Sequence, residues 1–90
     1  MMNIGIIGDY DQNRPSHVAT HEALQHTATF LSKKISIQWI PTKPLDNHDN
    51  LNPLNNFDCV WGAPGDPESS LGFINAIQFV REKSIPYLGT

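Results

Sequence analysis

Phe57-Asp58-Cys59-Val60-Trp61-Gly62-Ala63-Pro64-Gly65-Asp66-Pro67-Glu68-Ser69 is the stretch on which the fold turns. Phe57 to Trp61 is short, mostly apolar and bounded by breakers, the pattern of a buried strand. Gly62 to Pro67 ends it sharply, and Ser69 or Ser70 supplies the side-chain oxygen that caps a helix. That helix carries Leu71, Ile74, Ile77, Phe79 and Val80, read here as its inward stripe, and Ser84-Ile85-Pro86-Tyr87-Leu88-Gly89-Thr90 closes as a further apolar strand. A strand, a helix and a second strand in succession imply parallel pairing through a right-handed crossover.

The same unit repeats toward the N-terminus. Asn3-Ile4-Gly5-Ile6-Ile7-Gly8 reads as a first strand buried on both faces, and Asp9 to Arg14 as a polar turn. Pro15 suits a first helical turn, and Leu24, Ala28 and Leu31 share one stripe of a helix predicted to run to about Lys34. Ile35 to Ile40 alternates apolar with polar residues until Pro41 stops it, giving a second strand. Thr42 to Asn56 is rich in Asn, Asp and Pro, a loop or poor helix because these side chains compete for backbone hydrogen bonds. The fold class is α/β: a doubly wound, flavodoxin-like, mostly parallel sheet with helices on both faces. Residues 1–90 form part of a single domain, incomplete in this chain, with the final strand expected at the centre of the sheet.

Composition narrows the function. Six Lys and Arg against nine Asp and Glu give a net charge of −3, with no basic cluster to draw nucleic acid or an acidic membrane. The single Cys59 excludes an internal disulfide, and no charged start followed by a long apolar run marks a secretory or spanning segment. A cytoplasmic location is expected. Ninety residues bury only roughly 60–65% of the unfolded surface, so the stability margin is thin.

Four features invite a chemical reading. Gly5 and Gly8 lack the third glycine and the immediate helix of a dinucleotide fingerprint, so Gly8 is read as ending a strand at a tight turn. His17 and His21 are four apart on the first helix and could share a metal, but His26 falls about 140° round the helix from His21, and half-buried or solvated histidines are the simpler reading; no metal site is assigned. Cys59 lies in a predicted buried strand with no neighbouring cation to lower its pKa, the setting of an inert thiol. The fourth is Pro64-Gly65-Asp66: a turn at a strand's carboxyl end before a helix directs free N–H groups into the crevice, where they can hold a carboxylate or an oxyanion.

Taken in order, these segments resemble the N-terminal part of a class I glutamine amidotransferase domain, in particular that of CTP synthase and its stand-alone homologues. Ile4-Gly5-Ile6-Ile7-Gly8-Asp9-Tyr10 resembles the family's first strand and turn, Glu22-Ala23-Leu24-Gln25-His26 its E-A-L-x-H helix, and Gln38-Trp39-Ile40 its second strand. Asp58-Cys59-Val60-Trp61 with Pro64-Gly65 resembles the strand and turn of the oxyanion site, and Ile85-Pro86-Tyr87-Leu88-Gly89 the strand before the nucleophile. The family's oxyanion turn is P-G-G-F-G, whereas this chain has Ala63-Pro64-Gly65-Asp66-Pro67, with one glycine and a proline that has no N–H.

The resemblance implies hydrolysis of glutamine to glutamate and ammonia by a cysteine expected immediately after Thr90, with no catalytic residue within these 90. Pro64, Gly65 and Asp66 are the implied substrate- and oxyanion-binding residues, Gly65 and Asp66 through their N–H groups. The ammonia would aminate a nucleotide, UTP to CTP, or another acceptor, through a synthetase partner. No cofactor is implied within the domain, and homo-oligomerisation stays open. The alternative is a non-catalytic flavodoxin-like module that binds a ligand or partner through the same strand ends.

Overall fold

The computed structural model describes residues 2–63 and 67–89. Along the chain run β1 (Met2–Ile7), α1 (Pro15–Phe30), β2 (Ile35–Ile40), short 3-10 turns at Lys43–Asp46, His48–Asn50 and Asn52–Asn56, β3 (Cys59–Gly62), α2 (Ser70–Glu82) and β4 (Tyr87–Gly89). The strands form one sheet in the order β2-β1-β3-β4, and every neighbouring pair is parallel. This is the doubly wound, flavodoxin-like α/β arrangement that the alternation of strands and helices predicts.

Side-chain alternation distributes the core over the two faces. Ile4 and Ile6 of β1, with Ala63, pack on one side against Leu24 of α1 and the half-buried Ile35, Ile37, Trp39 and Trp61. Ile7 and Val60 point the other way, toward Ala76 and Val80 of α2 and toward Leu45, Leu51 and Leu54. Those three leucines come from or between the 3-10 turns. The Asn-rich segment is thus neither a free loop nor an α-helix: it advances in tight turns, each too short for a helix of its own, and is held down by one buried leucine after another. Ile6 and Ile7 are both 0% exposed, as a strand covered on both faces requires.

Two expectations need correction. The first helix stops at Phe30, short of Lys34, because Ser32 turns left-handed (φ 55°) and the chain doubles back: the Ser32 N–H donates to Thr29 O at 3.1 Å and the Lys33 N–H to Ala28 O at 2.9 Å. Leu31 therefore leaves the stripe and is 55% exposed. On α2, Leu71 and Ile74 point outward, while Gly72, Asn75, Ala76 and Val80 are buried. Polar contacts set this rotation. A β-carbon on Gly72 would overlap the Thr42 carbonyl oxygen, and the Asn75 amide donates to Leu45 O at 3.0 Å, so the small and polar side of the helix must face the 3-10 turns. Among the described residues β4 pairs with β3. No helix among the described residues is long and apolar enough to cross a membrane.

Candidate functional site at the strand carboxyl ends

The order β2-β1-β3-β4 reverses direction between β1 and β3, and open α/β sheets bind ligands in the crevice beyond such a reversal. Gly8 lies at this point. A β-carbon there would come within 2.7 Å of the Ala63 β-carbon, so its smallness allows the ends of β1 and β3 to close on each other, and the Ala63 N–H donates to Ile7 O at 3.0 Å. Close approach, more than turn conformation, explains this glycine.

Asp9 follows at once and is the hub of the crevice. One carboxylate oxygen accepts the Thr42 N–H at 3.0 Å; the other accepts the Thr42 hydroxyl and the Glu68 N–H, each at 2.8 Å. Thr42, wholly buried, spends its hydroxyl proton on Asp9 and uses the oxygen to accept the Ser69 N–H at 2.8 Å. Ser69 caps α2 by accepting the Gly72 N–H at 3.0 Å, and its hydroxyl donates to Asp46. The ends of β1 and β2, the first 3-10 turn and the start of α2 are thereby joined in one hydrogen-bonded chain. Partial burial pushes the Asp9 carboxyl up, but the hydrogen bonds from Glu68 and Thr42, with the nearby His17, outweigh it and hold the group below its ordinary value of 3.8.

Beside Asp9 lies an aromatic and imidazole cluster. Tyr10 meets Trp39 edge-on at 4.9 Å between ring centroids, and His17 lies 5.1 Å from the same indole. The Trp39 N–H donates to His21 Nδ1 at 3.3 Å, and the Asp11 N–H donates to His17 Nδ1 at 3.1 Å. Both imidazoles therefore spend Nδ1 as an acceptor in the packing of α1 on the sheet. His17 is buried, His21 half-buried and His26 exposed; among the described residues no three His, Cys, Asp or Glu side chains gather into a potential metal site.

Cys59 is half-buried on the α1 side of β3. Burial pushes its thiol pKa up and the Asp58 charge adds to the rise, so the group is held as an unreactive thiol. A groove of about 310 Å³ opens on the edge of β2, lined by Asn3, Ser36, Gln38, Asn50, Asn56 and Phe57 among others, but it holds no titratable side chain.

Pro64, Gly65 and Asp66 lie outside the described residues, as does Thr90. Their flanks are described: Ala63 is bonded to the end of β1 and Glu68 to Asp9. Gly62 of β3 is in register with Gly89 of β4, so the two strands leave the sheet side by side. Sequence reading passed over Asp9, Thr42, Ser69 as a link to Thr42, and Gly72. A carboxylate directly after a strand was the one available signal; its partners lie 33 and 59 residues away.

No protein-family model matches the chain. Among curated relatives it is similar to the CTP synthase of Carboxydothermus hydrogenoformans, 32% identical over 89 residues, and to that of Nautilia profundicola, 35% identical over 92 residues. Each match takes in 98% of this chain and 17% of the relative, so the chain spans about a sixth of the length of the curated relatives it matches. Among solved structures, the glutaminase domain of Trypanosoma brucei CTPS with bound acivicin superposes with a TM-score of 0.83, over 99% of this chain and 36% of that one, at 20% identity. The chain thus shares the fold of about a third of that solved chain and, along nearly all its own length, has sequence similarity to CTP synthases.

Proposed function

We propose that this chain builds one wall of a glutamine amidotransferase site of the CTP synthase type. The similarity to CTP synthases and the fold shared with a glutaminase domain support the class. The observation that carries the chemistry is the pairing of Gly62 with Gly89. Neighbouring strands lie about 4.8 Å apart, so the turn after β3 and the residue after β4 begin within reach of one substrate carbonyl.

In this reading a cysteine immediately after Thr90 attacks the glutamine carboxamide carbon as a thiolate. The carbonyl oxygen becomes an oxyanion facing the N–H groups of Gly65 and Asp66. The C–N bond breaks, the nitrogen takes a proton and leaves as ammonia, and water cleaves the thioester to give glutamate and restore the thiol. The steps need no cofactor. The ammonia serves amination of UTP to CTP, or of another acceptor, through a synthetase partner. Cys59 has no part, being half-buried with a raised pKa.

The test is a glutaminase assay on the naturally expressed protein. Glutamate and ammonia are expected in equal amounts, and acivicin or thiol alkylation should abolish both. Undiminished turnover after every cysteine is blocked refutes the proposal. A second reading, a binding module without turnover, draws on the oxyanion turn itself, which has the single glycine Gly65 and a Pro67 where the family's P-G-G-F-G has three glycines; glutamine binding with no ammonia release would select it.

A further inference from the structure

The sheet face shared by α2 and the 3-10 turns is unevenly filled. Ala76 and Val80 of α2 pack on Ile7 and Val60, whereas beside β2 the described chain runs in 3-10 turns and places no α-helix. The groove of about 310 Å³ lies there. Its floor is apolar, formed by Ile40, Leu45, Leu54 and Phe57. Gly5 shapes that floor: a β-carbon there would come within 3.0 Å of Ile40 Cδ1 and of the Phe57 ring, so the missing side chain lets the ring lie against bare backbone. The rim is polar and uncharged. Asn3 pairs with Ser36 and Gly5 with Gln38, so strand alternation puts Asn3, Ser36 and Gln38 on this one face, and Asn50 and Asn56 come from the 3-10 turns. Among the described residues no hydrogen bond engages the side chains of Asn3, Ser36, Gln38 or Asn56; Asn50 gives its amide N–H to Pro44 O at 2.7 Å and keeps its oxygen as an acceptor.

We propose that this groove binds an unphosphorylated nucleoside by its base. A carboxamide carries a donor and an acceptor side by side, the pattern found along the edge of a nucleobase, and Asn and Gln pair with such edges bidentately. The apolar floor receives the flat face of the ring, with Phe57 as its aromatic surface. Polarity on the rim above an apolar floor suits a ring that is polar at its edge alone. A sugar, with hydroxyls all round, would leave some of them unpaired against Leu45 and Leu54. The lining offers no Lys, Arg or His to hold a phosphate, and the Asp58 carboxylate, which accepts the Asn3 N–H at 2.7 Å, stands beside the rim and repels one. Ligand pockets start at about 300 Å³, so this one takes a single base and leaves the ribose toward solvent. None of Asp9, Thr42, Asp46 or Ser69 lines the groove, and the proposal stands apart from the glutaminase reading.

The test is equilibrium dialysis of the naturally expressed protein against radiolabelled adenosine, guanosine, cytidine and uridine. At least one should bind with a Kd of about 1 mM or tighter. Gln38 and Asn56 are exposed, so Gln38→Leu and Asn56→Leu should keep the far-UV circular dichroism of the wild type while each weakens binding by about 10-fold. Blocking the base edge, with uridine methylated on its ring N–H or adenosine dimethylated on its amine, should weaken binding to a similar extent relative to the parent. A 5′-phosphate should bring no gain, and glucose should not compete. The proposal is overturned if none of the four nucleosides binds at about 1 mM, if both folded variants bind as the wild type does, if the 5′-monophosphate binds more tightly than its nucleoside, or if glucose displaces the label. Absence of ammonia release from glutamine would defeat the glutaminase reading alone, since the dialysis measures a different set of residues.

Discussion

Asp9 accepts hydrogen bonds from residues 33 and 59 positions further along the chain, and its ionisation is therefore a property of the fold. The sign of its contribution follows from the lowered pKa. The folded state holds the Asp9 proton less tightly than the unfolded chain, so the stabilisation is fully present above the ordinary value of 3.8 and is lost as pH falls through the lower, folded value. Chemical denaturation followed from neutral pH downward should show an acid decline for the wild type below about pH 4, and a shallower one for Asp9→Asn, which has no carboxylate there to protonate. An identical acid limb in the two proteins would show that Asp9 is not held ionised by Thr42 and Glu68. At the same scale, Cys59 illustrates the value of asking what a side chain faces: its burial beside Asp58 was foreshadowed by the strand pattern, and both influences raise the thiol pKa.

Both α-helices end alike, with serine where glycine is the usual residue. Ser84 has φ 57°; its N–H donates to Arg81 O at 3.1 Å, and the Ile85 N–H reaches back to Val80 O at 2.9 Å, while Ile85 packs on the cluster that contains Val80. A non-glycine residue in the left-handed region costs about 1–2 kcal/mol. Ser84→Gly should therefore raise the stability of the folded chain by about 1 kcal/mol, less the greater freedom that glycine gives the unfolded state. A lower midpoint in thermal or urea unfolding would contradict it. Periodicity placed both helices in the sequence but not their faces. Leu71 and Ile74 look like core residues by composition, yet the helix is turned by Gly72 against a carbonyl and by Asn75 against Leu45, contacts made with a segment some 30 residues away. The Asn-rich stretch was misleading in the opposite sense: its polar residues obscured Leu45, Leu51 and Leu54, which are buried almost completely.

Across the molecule, the two sheet faces are unequally covered. Among the described residues the 3-10 turns and α2 together close one face, whereas α1 alone covers the other, packing against β1 and β2. Beside it runs an apolar groove of about 230 Å³ over β3 and β4, lined by Ile4, Leu24, Cys59, Trp61, Tyr87 and Leu88 among others. Leu88 is 57% exposed within it. The 90-residue chain should consequently bind a hydrophobic dye such as ANS while its far-UV circular dichroism remains that of a folded α/β protein, and Leu88→Gln should reduce the binding without lowering the unfolding midpoint. Dye fluorescence that Leu88→Gln leaves untouched would locate the apolar surface elsewhere. The small size and modest hydrophobic fraction of the chain predict a thin margin of stability; which face bears the uncovered area among the described residues is not legible there.

Strand alternation, breakers and the spacing of strand and helix determined the α/β class, the parallel sheet and most element boundaries, because these depend on neighbours a few residues apart and on which side chains avoid water. The same local patterns carried the resemblance to a glutamine amidotransferase domain. Tertiary structure alone decided the rotation of α2 and the joining of Asp9, Thr42, Ser69 and Asp46 into one chain of hydrogen bonds. Hydrogen bonds between strand ends depend on distance and angle in space, and two groups 59 residues apart leave no mark on the sequence between them.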